Sequence, residues 1–278
     1  MTAQLGRIGV WASGALLNPE LAQELERIGY GAIWIGGSPP AELELAEQLL
    51  AATDHIVVAT GIVNIWTADP HVLAASHHRL RERFPDRFVL GIGAGHPEAI
   101  AEYTRPYQAL VDYLDVLDAE GVPAGERVLA ALGPKVLQLA ADRTAGAHPY
   151  LTTAEHTRRA RAQLGPGVLL APEQKVVVDP DVAAGRALGR RAVANPYLGL
   201  RNYVSNLLRL GWGEADVAGE GSDALIDALV GLGDAEQAAR PVREHLDAGA
   251  DHVAIQLLTP RGADPLPGYR ALAETLGV

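Results

Sequence analysis

The 278-residue chain contains no cysteine, which excludes disulfides, thiol nucleophiles and cysteine-ligated metal sites. It also has no uninterrupted apolar run of roughly 18 residues, the length that a membrane-spanning helix needs. The N-terminus, MTAQLGRIGVW, shows no basic segment leading into an apolar region of signal-peptide length. These absences predict a cytoplasmic protein.

Positive charge is also scarce. There are 23 basic and 34 acidic residues, for a net charge of −11, and the only lysines are Lys135 and Lys175. This balance repels nucleic-acid phosphates and anionic membranes, so we expect a small-molecule substrate and neither nucleic-acid nor membrane partners. The histidines show no metal-ligand spacing, and we predict no metal. The sequence leaves the oligomeric state open, including a homodimer.

What is present is an alternation of short apolar runs with longer helical patterns, which is typical of repeated βα units around a parallel sheet. Eight such runs in a chain of this length predict an α/β fold, a (β/α)₈ TIM-type barrel, as a single domain over residues 1–278. The predicted strands are Leu5–Val10, Ala32–Ile35, Ile56–Ile62, Phe88–Ile92, Arg127–Leu132, Ala147–Leu151, Gln174–Val178 and His252–Leu257.

Two segments exceed a minimal barrel. Residues Glu98–Gly121 add a loop and helix after strand four, and residues 179–233 form a predicted helical insertion between strands seven and eight. Barrel enzymes place specificity elements in such insertions. Arg201, Asn202 and Tyr203 in the second insertion are candidates for binding polar groups of a substrate, or for simply pinning their own helix.

Polar residues and glycines follow two predicted strands. The segment RFVLGIGAGHPE carries Gly93, Gly95 and His96 where strand four ends, and glycines there let a flat ring or a phosphate approach the backbone. A tight βα turn is the alternative. After strand three, Asn64 and Trp66 are predicted to face the mouth of the barrel, although Trp66 is equally well explained by packing.

Two predicted helix starts offer free backbone N–H groups to an anion. One is at Gly133, and the other follows Thr152, where Thr152-Thr153-Ala154-Glu155 has the pattern of a capping box. Arg158 and its neighbouring arginines add positive charge that would suit an anionic cofactor tail. Arginines on a solvated helix face are the alternative.

Together these segments resemble the luciferase-like monooxygenase superfamily, and within it the oxidoreductase branch dependent on coenzyme F-420, a deazaflavin. The resemblance is carried by TGIVNIWTADP (60–70), RFVLGIGAGHP (87–97), LGPKVLQLAADRTAGAHPYLTTAEHT (132–157) and ARPVREHLDAGADHVAIQLL (239–258), and it spans nearly the whole chain.

The resemblance implies where a deazaflavin ring would lie. Gly61-Ile62 matches a bulge, often with a non-proline cis peptide, that presses one side of the ring, and Asn64 matches an asparagine beside it. Gly93, Gly95 and His96 match the opposite side. The phosphate-proximal turn corresponds to four residues, Tyr150, Leu151, Thr152 and Thr153.

One departure from the family affects the chemistry. Several relatives carry Asp-His at the end of strand two, where this chain reads Trp34-Ile35-Gly36-Gly37-Ser38. By position, His96 becomes the predicted catalytic proton carrier, with Trp11 and Trp66 packing against the ring or substrate. The predicted function is hydride transfer between the deazaflavin and a small organic substrate. The alternatives are an FMN-dependent monooxygenase of the same fold and a non-catalytic cofactor-binding barrel.

Overall fold

A computed structural model describes residues 3–96 and 105–278. In this part of the chain, short strands alternate with helices, and every strand pair is parallel. The strands are β1 (Ile8–Ser13), β2 (Ala32–Gly36), β3 (Val57–Thr60), β4 (Val63–Asn64), β5 (Phe88–Gly93), β6 (Arg127–Leu129), β7 (Gly146–Ala147), β8 (Leu169–Leu170), β9 (Glu173–Val178), β10 (Val230–Gly233) and β11 (Val253–Leu257).

Several helices begin at a capping residue followed by a proline. Asn18 caps the first helix and Asp69 the third, and in both a proline occupies the first turn, where its missing N–H is not needed. The helices are α1 (Pro19–Ile28), α2 (Glu44–Ala52), α3 (Pro70–Arg83), α4 (Pro106–Ala119), α5 (Pro134–Arg143), α6 (Ala154–Leu164), α7 (Val182–Ala194), α8 (Arg201–Leu210), α9 (Glu214–Val217), α10 (Asp223–Leu229), α11 (Ala235–Asp247) and α12 (Leu266–Leu276). In the described residues, no helix is long and apolar enough to cross a bilayer.

The sheet curls back on itself at residues 169–178. Strand β8 pairs with β7, while β9, only two residues further along the chain, pairs with β11 on the other side. The remaining order runs β11-β1-β2-β3-β5-β6-β7, with β4 beside β5. This curled parallel sheet, with helices between its strands, is consistent with the predicted TIM-type barrel.

Alternating side chains on each strand build two layers. On β2, Ile33 and Ile35 pack into the main core with the surrounding helices, whereas Ala32 and Trp34 point to the other face. There they join small and branched residues from neighbouring strands, such as Ala59. This division arises because successive side chains of a strand point to opposite faces of the sheet. Polar groups are then left to the ends of the strands.

The insertion between β9 and β11 differs from its all-helical prediction. It contains α7, α8, α9 and α10, but it ends in strand β10, which pairs with β9 through Val230↔Lys175 to Gly233↔Val178. The short run VGLG was too brief and too glycine-rich to read as a strand from its sequence. In the segment after strand four, residues 97–104 lie outside the described residues, and the rest forms α4.

Candidate active site

A cavity of about 800 Å³ lies at the carboxyl ends of the strands. Its lining includes the residues that come directly after several strands, among them Gly37 after β2, Gly61 after β3, Ala94 after β5 and Ala130 after β6. In parallel barrels this face holds the active site, because the loops that follow the strands converge there. The cavity is therefore the candidate active site.

One wall of the cavity is the bulge between β3 and β4. The Gly61–Ile62 peptide is cis, as the family resemblance implied. The Gly61 carbonyl accepts a hydrogen bond of 3.1 Å from the Trp11 indole, and a Cβ at position 61 would lie only 2.7 Å from that indole nitrogen. Glycine is therefore required for this close approach. Gly61, Ile62, Asn64 and Trp11 all line the cavity.

His96 lies on the wall that follows β5. Its Nδ1 is 3.3 Å from the side-chain amide nitrogen of Asn202 in α8, and its ring centroid is 5.3 Å from that of Tyr203. Because the amide NH₂ group only donates, Nδ1 accepts, and the neutral ring carries its proton on Nε2. The insertion thus orients the imidazole. Gly95, with φ of +60°, also lines the cavity beside it.

A cluster of buried polar groups forms a further wall. Glu173 and Lys175 on β9 are each about 1% exposed, and Lys175 Nζ lies 3.1 Å from Glu173 Oε1. Nζ also lies 3.8 Å from the ring centroid of Tyr150 and 5.3 Å from that of Tyr197. Burial lowers the pKa of Lys175, and the neighbouring carboxylate of Glu173 partly offsets this. Tyr150 completes the cluster by donating to Gln256 Oε1 at 2.8 Å.

His148 presents a buried acceptor to the same cavity. Its Nδ1 lies 2.6 Å from the carbonyl oxygen of Ala171, so this nitrogen carries the proton and Nε2 is left with no protein partner. Burial is the main cause that lowers its pKa, to about 4. The ring stacks on Trp34 with centroids 4.1 Å apart and stays neutral at physiological pH.

Two cationic side chains lie where α5 begins. Lys135 in its first turn and Arg209 at the end of α8 both line the cavity. The Gly133 N-cap is close to Arg209, because a Cβ added to Gly133 would be 3.9 Å from Arg209 Nη2. Arg209 also donates to Asn206 Oδ1 at 3.2 Å. Free helix N–H groups with two cations suit a phosphate or a carboxylate.

The structure brings ten of the predicted site residues to the cavity and leaves six away from it. Those that line it are Trp11, Gly61, Ile62, Asn64, Gly95, His96, Gly133, Tyr150, Asn202 and Tyr203. Those that do not are Trp66, Gly93, Leu151, Thr152, Thr153 and Arg158.

Each of these outlying residues has a structural explanation. The Trp66 indole donates to the Ala94 carbonyl at 2.7 Å. Gly93 is buried in β5 against Ile62. The Leu151 N–H donates to Glu173 Oε2 at 3.0 Å, which helps hold the buried carboxylate. Two others, Thr152 and Thr153, are in the turn that enters α6.

The predicted capping box at this helix is wrong. Thr153 is the N-cap of α6 but accepts no hydrogen bond through its side chain. Glu155 pairs instead with Arg158 and with Arg159, three and four residues on, where helical side chains meet on the surface. The arginines outcompete the backbone for this carboxylate.

Sequence reasoning missed Glu173, Lys175, His148 and Arg209. A signal was available for the first two, because charged residues two apart at the start of an apolar strand share one face. His148 and Arg209 carried no such signal, since the helix and loop packing alone brings them to the cavity. Over residues 3–96 and 105–278, no group of three or more His, Asp or Glu side chains is arranged to hold a metal ion.

A known family model matches part of the chain. Residues 17–120 match the family model described as luciferase-like monooxygenase. The resemblance to that family is therefore confirmed. No curated protein matches the chain at a significant level.

Several solved structures share the fold over nearly the full length. An F-420-dependent secondary alcohol dehydrogenase, in complex with an F-420–acetone adduct, is 16% identical with a TM-score of 0.76, covering 99% of this chain and 98% of that one. The F-420-dependent tetrahydromethanopterin reductase from Methanopyrus kandleri is 15% identical with a TM-score of 0.69, covering 97% and 98%. The oxygenating constituent of 3,6-diketocamphane monooxygenase from Pseudomonas putida, in complex with FMN, is 13% identical with a TM-score of 0.68, covering 96% of each chain.

Proposed function

We propose that this luciferase-like protein is an oxidoreductase that transfers a hydride between coenzyme F-420 and a small organic substrate. One observation carries the proposal: a single cavity is lined by the glycine bulge at Gly61, by the His96 imidazole, and by two cations beside the start of α5. Two structural neighbours named as F-420-dependent enzymes support the choice of coenzyme. A cytoplasmic location remains a prediction.

The residues present fit a deazaflavin chemically. The bulge at Gly61 and Ile62 offers backbone without a side chain at the point of closest approach. His148 Nε2 and Asn202 Oδ1 are buried acceptors with no protein partner, and both residues line the cavity. A bound molecule with N–H and O–H groups would satisfy them, as buried polar atoms generally require.

The cationic end of the cavity fits the rest of the coenzyme. A deazaflavin coenzyme carries a phosphate and an acidic tail, and Lys135, Arg209 and the N–H groups after Gly133 can hold such anions. When bound, the coenzyme supplies the carbon that gives or accepts the hydride. The chain itself binds, orients and shields the reactants from water.

His96 is the proposed proton carrier. The neutral ring keeps its proton on Nε2 because Nδ1 accepts from Asn202. An imidazole gives or takes a proton readily near neutral pH, and a positioned acid–base group typically contributes about 10²–10⁴-fold to a rate. Tyr203 packs against the ring and limits its rotation.

The first test separates the candidate cofactors. The purified protein is titrated with coenzyme F-420 and, separately, with FMN, and binding is followed by absorbance and fluorescence. We expect a lower dissociation constant for F-420. Tighter binding of FMN would favour the monooxygenase alternative, which the FMN-containing neighbour supports.

The second test addresses His96. In His96→Ala and His96→Gln, we expect pre-steady-state oxidation or reduction of the coenzyme to slow by about 10²–10⁴-fold, with the coenzyme dissociation constant and unfolding midpoint nearly unchanged. Normal rates with a lowered midpoint would show that His96 acts only as a turn residue.

A further inference from the structure

The buried Glu173–Lys175 pair has no role in the proposed binding of the coenzyme. The two side chains lie two apart on β9 and are each about 1% exposed. Lys175 lines the cavity, whereas Glu173 does not and is held from behind by the Leu151 N–H. Lys175 is therefore the member of the pair that a bound molecule meets.

Lys175 has hydrogen-bonding capacity to spare. An ammonium has three N–H donors, and the pair uses one of them, to Glu173 Oε1 at 3.1 Å. The rings of Tyr150 and Tyr197 lie near Nζ and attract the positive charge through their faces, but a ring face is a diffuse partner rather than a directed lone pair. Because Lys175 lines the cavity, its unused N–H donors remain for an acceptor that a ligand brings.

We infer that Lys175 binds the oxygen of a neutral carbonyl group, a ketone or aldehyde, on the molecule that exchanges the hydride. The inference rests on the proposed function, because that molecule would have to share the cavity with the coenzyme. Lys175 would then act as a substrate-binding residue that fixes the carbonyl against the aromatic wall formed by Tyr150, Tyr197 and Tyr203.

Charge balance selects a carbonyl over a carboxylate. Glu173 and Lys175 already cancel, so a bound carboxylate would leave one uncompensated negative charge in a buried, tyrosine-lined region. A ketone adds no charge, and its oxygen still accepts a hydrogen bond from the ammonium. If Glu173 were neutral, the preference would reverse, because Lys175 would then be the unbalanced charge.

The experiment compares three probes that share a six-membered ring: cyclohexanone, its hydrocarbon isostere methylenecyclohexane, and cyclohexanecarboxylate. Their dissociation constants are measured by ligand-observed NMR on the full chain without coenzyme, for the wild type, Glu173→Gln, and the charge-neutral double variant Glu173→Gln/Lys175→Met. A hydrogen bond from a charged donor is typically worth about tenfold or more in affinity.

In the double variant, we expect the ratio of ketone affinity to hydrocarbon affinity to fall by at least about tenfold. The single variant Glu173→Gln should keep that ratio and bind the carboxylate more tightly than the wild type does. An unchanged ratio in the double variant, or wild-type preference for the carboxylate over the ketone, would overturn the inference. Failure to detect the ketone up to its solubility limit would do the same.

A measurement on the wild type protects the test from misfolded variants. The carbonyl resonance of [carbonyl-¹³C]cyclohexanone should move downfield on binding if the ammonium donates to the oxygen, and an unshifted resonance overturns the inference. The outcomes remain distinct from those for the coenzyme. Rejection of F-420 together with Lys175-dependent ketone binding would overturn the proposed function and leave Lys175 as a ketone-binding residue only. Hydride transfer without Lys175-dependent ketone binding would overturn only this inference.

Discussion

The charged residues of α6 and those of β9 experience opposite environments. On α6, Glu155, Arg158 and Arg159 have side chains that are 43–63% exposed and that pair with one another along the helix surface. On β9, Glu173 and Lys175 are almost fully buried and pair across one strand face beside the cavity. The α6 charges lie in a run of closely spaced charged residues. The β9 pair stands apart from other charges and follows a proline at the start of an apolar run.

This contrast shows what charge density in a sequence measures. Helical residues three or four apart can satisfy each other in water, so a cluster of arginines mostly indicates a solvated face. An isolated ion pair on a buried parallel strand has no access to water, and it persists only when its partners are in place. Of these two groups, only the buried pair places a charge, that of Lys175, at the cavity.

The largest difference between buried and exposed ionisable groups should appear in the pH dependence of the free energy of unfolding. Burial lowers the pKa of His148, His245 and His252 to about 4. Unfolded imidazoles titrate near 6.5, so the unfolded chain binds protons first. The stability is fully present above pH 6.5 and is lost as the pH falls towards 4. We expect the free energy of unfolding, measured with urea, to fall by about 1–2 kcal/mol per ring at about pH 5.

Two histidines sharpen this prediction. Burial also lowers the pKa of His77, but the Glu126 carboxylate 3.1 Å from its Nε2 favours the protonated ring, so His77 is not counted. The exposed His71 provides the surface control: its Nδ1 lies 2.7 Å from Glu120 Oε1 in water, so His71→Gln should change the slope of stability against pH by much less than a buried ring does. A wild-type protein equally stable at about pH 7 and pH 5 would contradict the prediction.

Removing one member of the buried Glu173–Lys175 pair should lower the free energy of unfolding nearly as much as the fall in pH does. Lys175→Met leaves Glu173 charged and unpaired, and we expect a loss of about 3–5 kcal/mol in the free energy of unfolding. The double variant Glu173→Gln/Lys175→Met should recover most of that loss. Arg158→Met is the surface counterpart, and it should leave the unfolding midpoint unchanged. Similar losses in the single and double variants would mean that packing, rather than charge, holds this site.

The coenzyme tail offers a test at the level of binding. Arg209 lines the cavity beside Gly133, and Arg209→Ala should weaken binding of F-420 by about tenfold or more, since charge-assisted hydrogen bonds to phosphate or carboxylate are lost. A deazaflavin without phosphate or tail should bind equally well to both proteins. Equal weakening of the two ligands would indicate that Arg209 acts through the fold of α8.

The smallest effect is expected at Arg158. The sequence pattern predicts that it binds the tail, but its side chain is 63% exposed, pairs with Glu155 and does not line the cavity. We expect Arg158→Ala to change the dissociation constant of F-420 by less than about twofold. A loss as large as that in Arg209→Ala would restore Arg158 as a tail-binding residue.

The sequence alone was enough to predict the strands and helices and part of the candidate site. The apolar runs and helical patterns predicted the alternation of strands and helices, because periodicity depends on residues a few positions apart. The caps that the structure shows at Asn18 and Asp69 are local features of the same kind. The glycine-rich end of β5 could be read from the chain itself, whereas the bulge at Gly61–Ile62 was expected only from the family resemblance.

Only the tertiary structure decided which charged and polar side chains meet. Lys175 on β9 meets Tyr150 from the loop after β7 and Tyr197 from the insertion, and Arg209 on α8 comes close to Gly133 at the start of α5. His148 becomes a neutral acceptor only through burial and its bond to Ala171. These contacts join residues far apart in the chain, and their energies depend on desolvation, which no local pattern encodes.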